Sequence, residues 1–198
     1  MKVVLATHNA HKVEEFQGIL GRALPELEIV AYDGPEPVED GTSFDENALI
    51  KARAAAAHTG LPALADDSGI CVDVLGGAPG IFSARWAGHG RGAVANLELL
   101  LDQLADIAPE HRAASFACHI AVVNPASGFE TVVSGRWPGR LATEVHGEGG
   151  FGYDPIFVPE GHDITAAELT AEQKNAVSHR ARAFEAAIPV LRMNVIPD

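Results

Sequence analysis

The sequence predicts a mixed α/β fold, an elongated mixed β-sheet flanked by helices, and three observations carry that expectation. Val3-Val4-Leu5-Ala6 reads as a short buried strand, and beyond a polar turn Val13, Phe16, Leu20 and Leu24 recur at helical spacing. An alanine-rich helical stretch between Ser43 and Gly60 leads into a further apolar run at Leu64-Ala65. Ser115 to Val123 and Phe129 to Val133 read as two strands joined by Pro125-Ala126-Ser127-Gly128, a hairpin signature. Strand and helix alternating, then a hairpin, give a sheet that is partly antiparallel, built as one domain in two lobes over residues 1–198.

Each element has a local cause. Ser43 with Glu46 three residues on is a capping box, Gly60 is the C-terminal stop, and Ala48, Leu49, Ala52, Ala55 and Ala56 share a face between them. Leu64-Ala65 breaks at Asp66-Asp67-Ser68-Gly69, and Ile70 to Leu75 resumes as a strand before the rigid turn Gly76-Gly77-Ala78-Pro79-Gly80. Residues 93–105 form an amphipathic helix through Leu97, Leu100, Leu101 and Leu104. A glycine-rich loop, Gly147 to Tyr153, enters Asp154-Pro155-Ile156-Phe157-Val158, and the chain then ends in helix that stops at Pro189.

Composition narrows the function. The 27 acidic and 14 basic residues give a net charge of −13, which repels nucleic-acid phosphates and anionic membranes. A small anionic ligand is still compatible, given a local basic pocket or a metal. Cys71 and Cys118 lie in apolar runs and read as free thiols, with no CxxC for zinc. The polar stretch beginning at Thr7 comes too soon for a signal peptide, and no apolar run approaches the roughly 20 residues of a membrane span. A soluble, cytoplasmic protein is expected.

Five groups of residues could carry chemistry. Asp66-Asp67-Ser68-Gly69, taken alone, is first of all a turn; at the end of a strand, its hard oxygens also suit Mg²⁺. Thr7-His8-Asn9-Ala10-His11-Lys12 places polar side chains and a cation at a helix N-terminus, as a phosphate cradle requires, although Asn9 as a plain helix cap explains it equally. Glu39 and Lys51 gain interest only beside these two, whereas Asp40 and Arg53 read as solvated. Gly149-Gly150-Phe151-Gly152-Tyr153-Asp154 clears space around an aromatic ring, as base stacking needs, or else forms a tight turn over the core. Lys174 and His179 would stand about 140° apart on one unbroken helix. A break capped by Ser178 instead puts His179 and Arg180 in a first turn that can converge with Lys174.

Together these stretches resemble the inosine triphosphatase family, whose members hydrolyse non-standard purine nucleoside triphosphates. The likeness runs from Val4-Leu5-Ala6-Thr7 to Ser178-His179-Arg180-Ala181. It includes Thr42-Ser43-Phe44-Asp45-Glu46-Asn47-Ala48, Lys51-Ala52-Arg53, Ala65-Asp66-Asp67-Ser68-Gly69, Gly76 to Gly80, Gly149 to Phe157 and Leu169-Thr170. The resemblance implies a homodimer with an active-site cleft between two lobes, Mg²⁺ as cofactor, and hydrolysis of dITP, ITP or XTP to the monophosphate and pyrophosphate. It implies catalytic Asp67, Asp66, Lys12 and Lys51, with Asp67 both proton acceptor and metal ligand. Substrate contacts would come from Thr7, His8, Asn9, Ala10, His11, Lys12, Ser68, Phe151, Gly152, Tyr153, Asp154, Lys174, His179 and Arg180.

Two positions depart from the pattern. Val38 stands where an acidic residue is usual, leaving Glu39 as the second metal ligand, and His8 stands where many members carry glycine. Two other functions use the same residues. A purine-nucleotide sensor needs the basic and aromatic groups but not the carboxylates. A terminal phosphatase would release orthophosphate instead of pyrophosphate.

Overall fold

The computed structural model describes residues 1–196, with the side chains of Ala10, His11 and Glu15 outside the described set. The strands are β1 (Lys2–Leu5), β2 (Glu28–Ala31), β3 (Ala63–Val72), β4 (Ala113–Asn124), β5 (Phe129–Leu141) and β6 (Phe157–Pro159). The helices are α1 (Ala10–Ala23), α2 (Phe44–Thr59), α3 (Gly92–Gln103), α4 (Ala171–Val177) and α5 (His179–Asn194). The strands form a mixed sheet in the order β2-β1-β3-β4-β5-β6. β1 is parallel to both β2 and β3, and β5 is antiparallel to β6.

The chain divides into two compact units, and β3, β4 and β5 each run from one into the other. Residues 1–67, 118–135 and 182–198 make the first. Phe16 and Leu20 of α1, Leu24 just past its end, and Phe184, Ala187 and Leu191 of α5 close over Val3, Leu5, Leu64 and Ile120. Phe16 and Phe184 meet edge to face at 4.5 Å, a geometry worth about 0.5–1.5 kcal/mol beyond the buried area. The small residues Ala48, Ala52, Ala55 and Ala56 let α2 pack closely with Val4, Ala63 and Ala65.

The second unit holds residues 68–117 and 136–181. Leu97 and Leu100 of α3 and Leu104, its C-cap, pack with Phe116, Trp137, Ile156 and Phe157. Arg112 is only 2 % exposed, and its guanidinium donates to the carbonyls of Leu104 at 2.5 Å, Ile107 at 2.9 Å and Ala142 at 3.0 Å.

Four local expectations are corrected. β3 does not break at Asp66-Asp67-Ser68-Gly69 but runs through it, and the strand ends at Val72, with Asp73–Leu75 a 3₁₀ turn. Partners distant in sequence receive the two carboxylates, so no turn is needed to expose them. Ser43 does cap α2, but Glu46 reaches one residue further than in a capping box, accepting from the Thr42 N–H at 2.6 Å and the Thr42 hydroxyl at 2.8 Å. β5 extends past Val133 to Leu141, because residues 139–141 pair with β6.

Helix α5 passes through Pro189 to Asn194. An interior proline costs about 3 kcal/mol by removing a hydrogen bond and crowding the carbonyl four residues back. Here Pro189 and Glu185 both face solvent, where water serves that carbonyl, while Ala187, Leu191 and Val195 remain buried on the opposite side.

Candidate functional site

In the first unit, the mid-strand position of Asp66 and Asp67 decides what they meet. Successive side chains of a strand point to opposite sides. Asp66 is buried and accepts from Lys12 Nζ at 2.8 and 3.0 Å. Asp67 instead lies 3.6 Å from Lys51 Nζ, which also donates to Glu39 at 3.2 Å. Each lysine therefore has its own carboxylate from one strand. A pocket of about 170 Å³ collects Thr7, Lys12, Tyr32, Glu36, Glu39, Lys51 and Asp66.

Burial perturbs Asp67, pushing its carboxyl up from the ordinary aspartate value; the Lys51 charge opposes this, Glu39 adds to it, a hydrogen bond from Asn47 opposes it and Asp66 adds again. Its Oδ2 is buried with no hydrogen-bond partner among the described residues. A carboxylate oxygen turned away from every protein donor can receive a proton or a cation.

The turn before α1 is organised by its own side chains. Thr7 Oγ1 accepts from the Asn9 N–H at 3.2 Å, and Asn9 Oδ1 accepts from the Lys12 N–H at 3.4 Å, so Asn9 does cap the helix. His8 does not turn to this pocket. Its ring lies beside Gly34 and Glu36 of the loop after β2 and stacks on Tyr32. The side chains of Ala10 and His11 lie outside the described residues. Arg53, exposed as expected, makes a bidentate pair with Glu130.

In the second unit, a cavity of about 250 Å³ is lined by Ser68, Phe116, Phe151, Lys174, His179 and Arg180 among others. The helix break that brings the last three together is present: α4 ends at Val177, and Ser178 Oγ accepts from the Ala181 N–H at 3.3 Å. Phe151 is 64 % exposed, with Lys174 Nζ 5.1 Å and Arg180 Cζ 5.3 Å from its ring centre. His179 is buried flat against Phe116. Ser68 Oγ and Arg180 Nε are buried without hydrogen-bond partners among the described residues.

Asp154 and Tyr153 are committed inside the fold. Asp154 pairs with Lys174 and accepts from the Phe151 N–H at 2.8 Å, which fixes the glycine-rich loop. At Gly150, φ is +69°, and a side chain there would strike the Asp154 carboxylate. The Tyr153 hydroxyl donates to the Ser83 carbonyl at 2.8 Å, and burial pushes its ionisation far above the ordinary range. Tyr153 thus supplies a wall, not a free polar group.

Several lining residues escape a reading of sequence motifs. The Ser83 hydroxyl accepts from the Ile70 N–H at 2.9 Å and donates to Gly80 at 2.6 Å, which ties the 3₁₀ turn Gly80–Arg85 to β3. Gly69 permits that approach, since a Cβ would meet both groups. Asn96 holds the same turn through Ala84 and Ala87. A buried polar residue on the apolar stripe of α3 is the one available signal. Tyr32, Glu36 and Pro37 enter the other pocket from a loop with no motif of its own.

Among the described residues, no group of three or more His, Cys, Asp or Glu side chains is arranged to hold a metal ion, and no helix is long and apolar enough to cross a membrane.

Comparison with known proteins fits this site. The model of the Ham1 family matches residues 3–190. A dITP/XTP pyrophosphatase of Leifsonia xyli is 67 % identical over 97 % of this chain and 96 % of its own length. One from Streptomyces coelicolor is 56 % identical over 96 % and 97 %. A solved HAM1 protein from Coxiella burnetii superposes with a TM-score of 0.90 at 42 % identity, covering 98 % of this chain and 99 % of that one. The resemblance read from the motifs therefore holds over nearly the whole length, and the chain belongs to the Ham1 family.

Proposed function

We propose that the chain hydrolyses inosine and xanthosine triphosphates, dITP included, to the nucleoside monophosphate and pyrophosphate in the presence of Mg²⁺. Its relatives are named dITP/XTP pyrophosphatase at up to 67 % identity among those compared, and it is accordingly a hydrolase of nucleotide metabolism. The observation that carries the finer reading is Asp67. A half-buried carboxylate with a raised proton affinity and one unpartnered oxygen suits the acceptance of a proton from an attacking water. Lys12 and Lys51 are the cations available to phosphate oxygens, and each would exchange a carboxylate for them as charge grows on the leaving group. The aromatic and basic cavity of the second unit suits a purine base.

The residues fit a magnesium ion, because Asp67 Oδ2 and Glu39 supply hard oxygen and Mg²⁺ takes one or two carboxylates and completes its shell with water and phosphate. When bound, it withdraws charge from the phosphate oxygens. With two protein ligands, the nucleotide-free protein is expected to bind Mg²⁺ weakly. Incubation with ITP and Mg²⁺ should yield inosine monophosphate and pyrophosphate in equal amounts, and excess chelator should stop the reaction. Orthophosphate with inosine diphosphate identifies a terminal phosphatase. Binding without any turnover identifies the sensor, and tight Mg²⁺ binding in calorimetry without nucleotide overturns the two-ligand account.

The family resemblance supports a homodimer, and the free thiols of Cys71 and Cys118 support a cytoplasmic setting. Sedimentation at micromolar concentration should give twice the 20.8 kDa mass of the chain, and a lone species at that mass would rule the dimer out.

A further inference from the structure

His8 has no part in the chemistry just described, yet its ring occupies a defined position. One nitrogen, Nε2, lies 2.9 Å from the Gly34 carbonyl, and the other, Nδ1, lies 3.2 Å from Glu36 Oε1. Both neighbours are hydrogen-bond acceptors. The ring N–H at Nε2 donates to the Gly34 carbonyl, and the Glu36 contact is close without being a hydrogen bond. The ring also stacks on Tyr32 at 5.8 Å, and the Tyr32 hydroxyl donates to the Pro35 carbonyl at 3.0 Å. The chain from Tyr32 to Pro37 is thus gripped at Gly34, Pro35 and Glu36, all from one side.

The gripped loop matters because of where it leads. Tyr32, Glu36 and Pro37 form one wall of the pocket that holds Lys12, Lys51 and Asp66, and Thr7, the residue before His8, forms another. The geometry points to His8 as a positioning residue: its ring latches the 34–37 loop to the phosphate-binding turn through a hydrogen bond to the Gly34 carbonyl and a stack on Tyr32. Glycine at this position can do neither. Of the charged groups around the latch, Glu36 faces the ring directly. Lys12 and Glu39 lie across the pocket, and the His58–Asp33 pair stands behind Tyr32. Because the His8 and Glu36 side chains are exposed, their contact adds little and is weakened by salt.

This inference rests on the triphosphate reading of the pocket, and two measurements separate them. In the nucleotide-free protein, hydrogen exchange at the Gly34 and Glu36 amides reports loop opening directly. At pH 6 and low salt it should run about tenfold faster in His8→Gly, and equal rates would overturn the latch whatever the activity proves to be. In steady-state kinetics with Mg²⁺ and ITP, His8→Gly should raise KM about threefold to fivefold with kcat much less affected, and His8→Gln, whose amide N–H can still donate to the Gly34 carbonyl, should recover most of that loss. An unchanged KM in His8→Gly overturns the latch, and so does a defect lying mainly in kcat. Failure of the wild type to release pyrophosphate would sink the functional reading alone, leaving the exchange experiment to decide on the latch.

Discussion

Asp67→Asn is expected to remove nearly all turnover and to leave a folded protein of higher thermal stability at neutral pH. The amide keeps the volume and the place in β3 but has no basic oxygen for the water proton and no charge for a cation. General-base assistance alone contributes about 10²–10⁴-fold to a rate, and a lost metal contact adds to that. The stability change follows from the sign of the perturbation. Burial raises the folded carboxyl above its unfolded value, so between those two values the folded state binds the extra proton. Stability then falls as pH rises through that window, and at pH 7 the ionised side chain is a net burden. Removing the charge lifts that burden, and the gain in Tm should shrink as pH falls toward the unfolded aspartate value. The raised value also requires kcat to increase with pH as Asp67 loses its proton. A variant retaining more than about a tenth of wild-type kcat would show that the proton goes elsewhere, and a Tm below wild type at pH 7 would contradict the burial argument.

The second large effect is discrimination between ITP and ATP. Hypoxanthine and xanthine present a carbonyl oxygen at the purine 6-position, where adenine presents an amino group. Arg180 lines the second-unit cavity with a buried Nε that has no partner among the described residues, and guanidinium groups only donate. A 6-oxygen satisfies such a donor, whereas an amino group leaves it desolvated and unpaired. Sites built on a hydrogen bond of this kind reject the wrong group by about 10⁴ or more. The ratio of kcat/KM for ITP over ATP should approach that size, with GTP, which keeps the 6-oxygen, falling between. Arg180→Ala should lower kcat/KM for ITP and narrow the ratio; it also removes one cation from beside the Phe151 ring. Comparable turnover of ATP and ITP by the wild type, within tenfold, would end this account of the cavity.

Legibility from sequence followed the range of the interactions. Helix α2 was readable because Ser43 and Gly60 act on their own neighbours, and the break at Ser178 because a cap is a contact within three residues. The face of α1 was readable because its period repeats. The course of β3 was not. Within a short window Asp66-Asp67-Ser68-Gly69 has the composition of a turn. What holds it extended is its place in the sheet between β1 and β4, and its carboxylates are met by Lys12, 54 residues from Asp66, and Lys51, 16 residues from Asp67, none of them visible to a local pattern. Pro189 misled for the same reason, since its cost is local and the burial that outweighs it lies across the core. In the candidate site, the residues with charge or unusual spacing were found and those that hold them were not. Ser83 and Asn96 act through main-chain groups 13 and 12 residues away, and Tyr32 enters from a loop with no motif of its own. His8 was found as a departure from a pattern, but the partners that give it a purpose lie about 26 residues on.

The buried Arg112 has a consequence for how the second unit comes apart. Its charge is met by no carboxylate but by three peptide dipoles, one of them at the C-terminal end of α3, where helix carbonyls concentrate negative potential. Fraying of α3 would strip acceptors from a cation that cannot shed its proton, and so would peeling away the chain beyond β5 at Ala142. Neither event can proceed far without stranding the guanidinium, so the two segments form one cooperative opening unit. A single side chain thereby sets the grain of local unfolding: the wall of the second-unit cavity that rests on α3 shares the fate of the strand end nearly forty residues downstream.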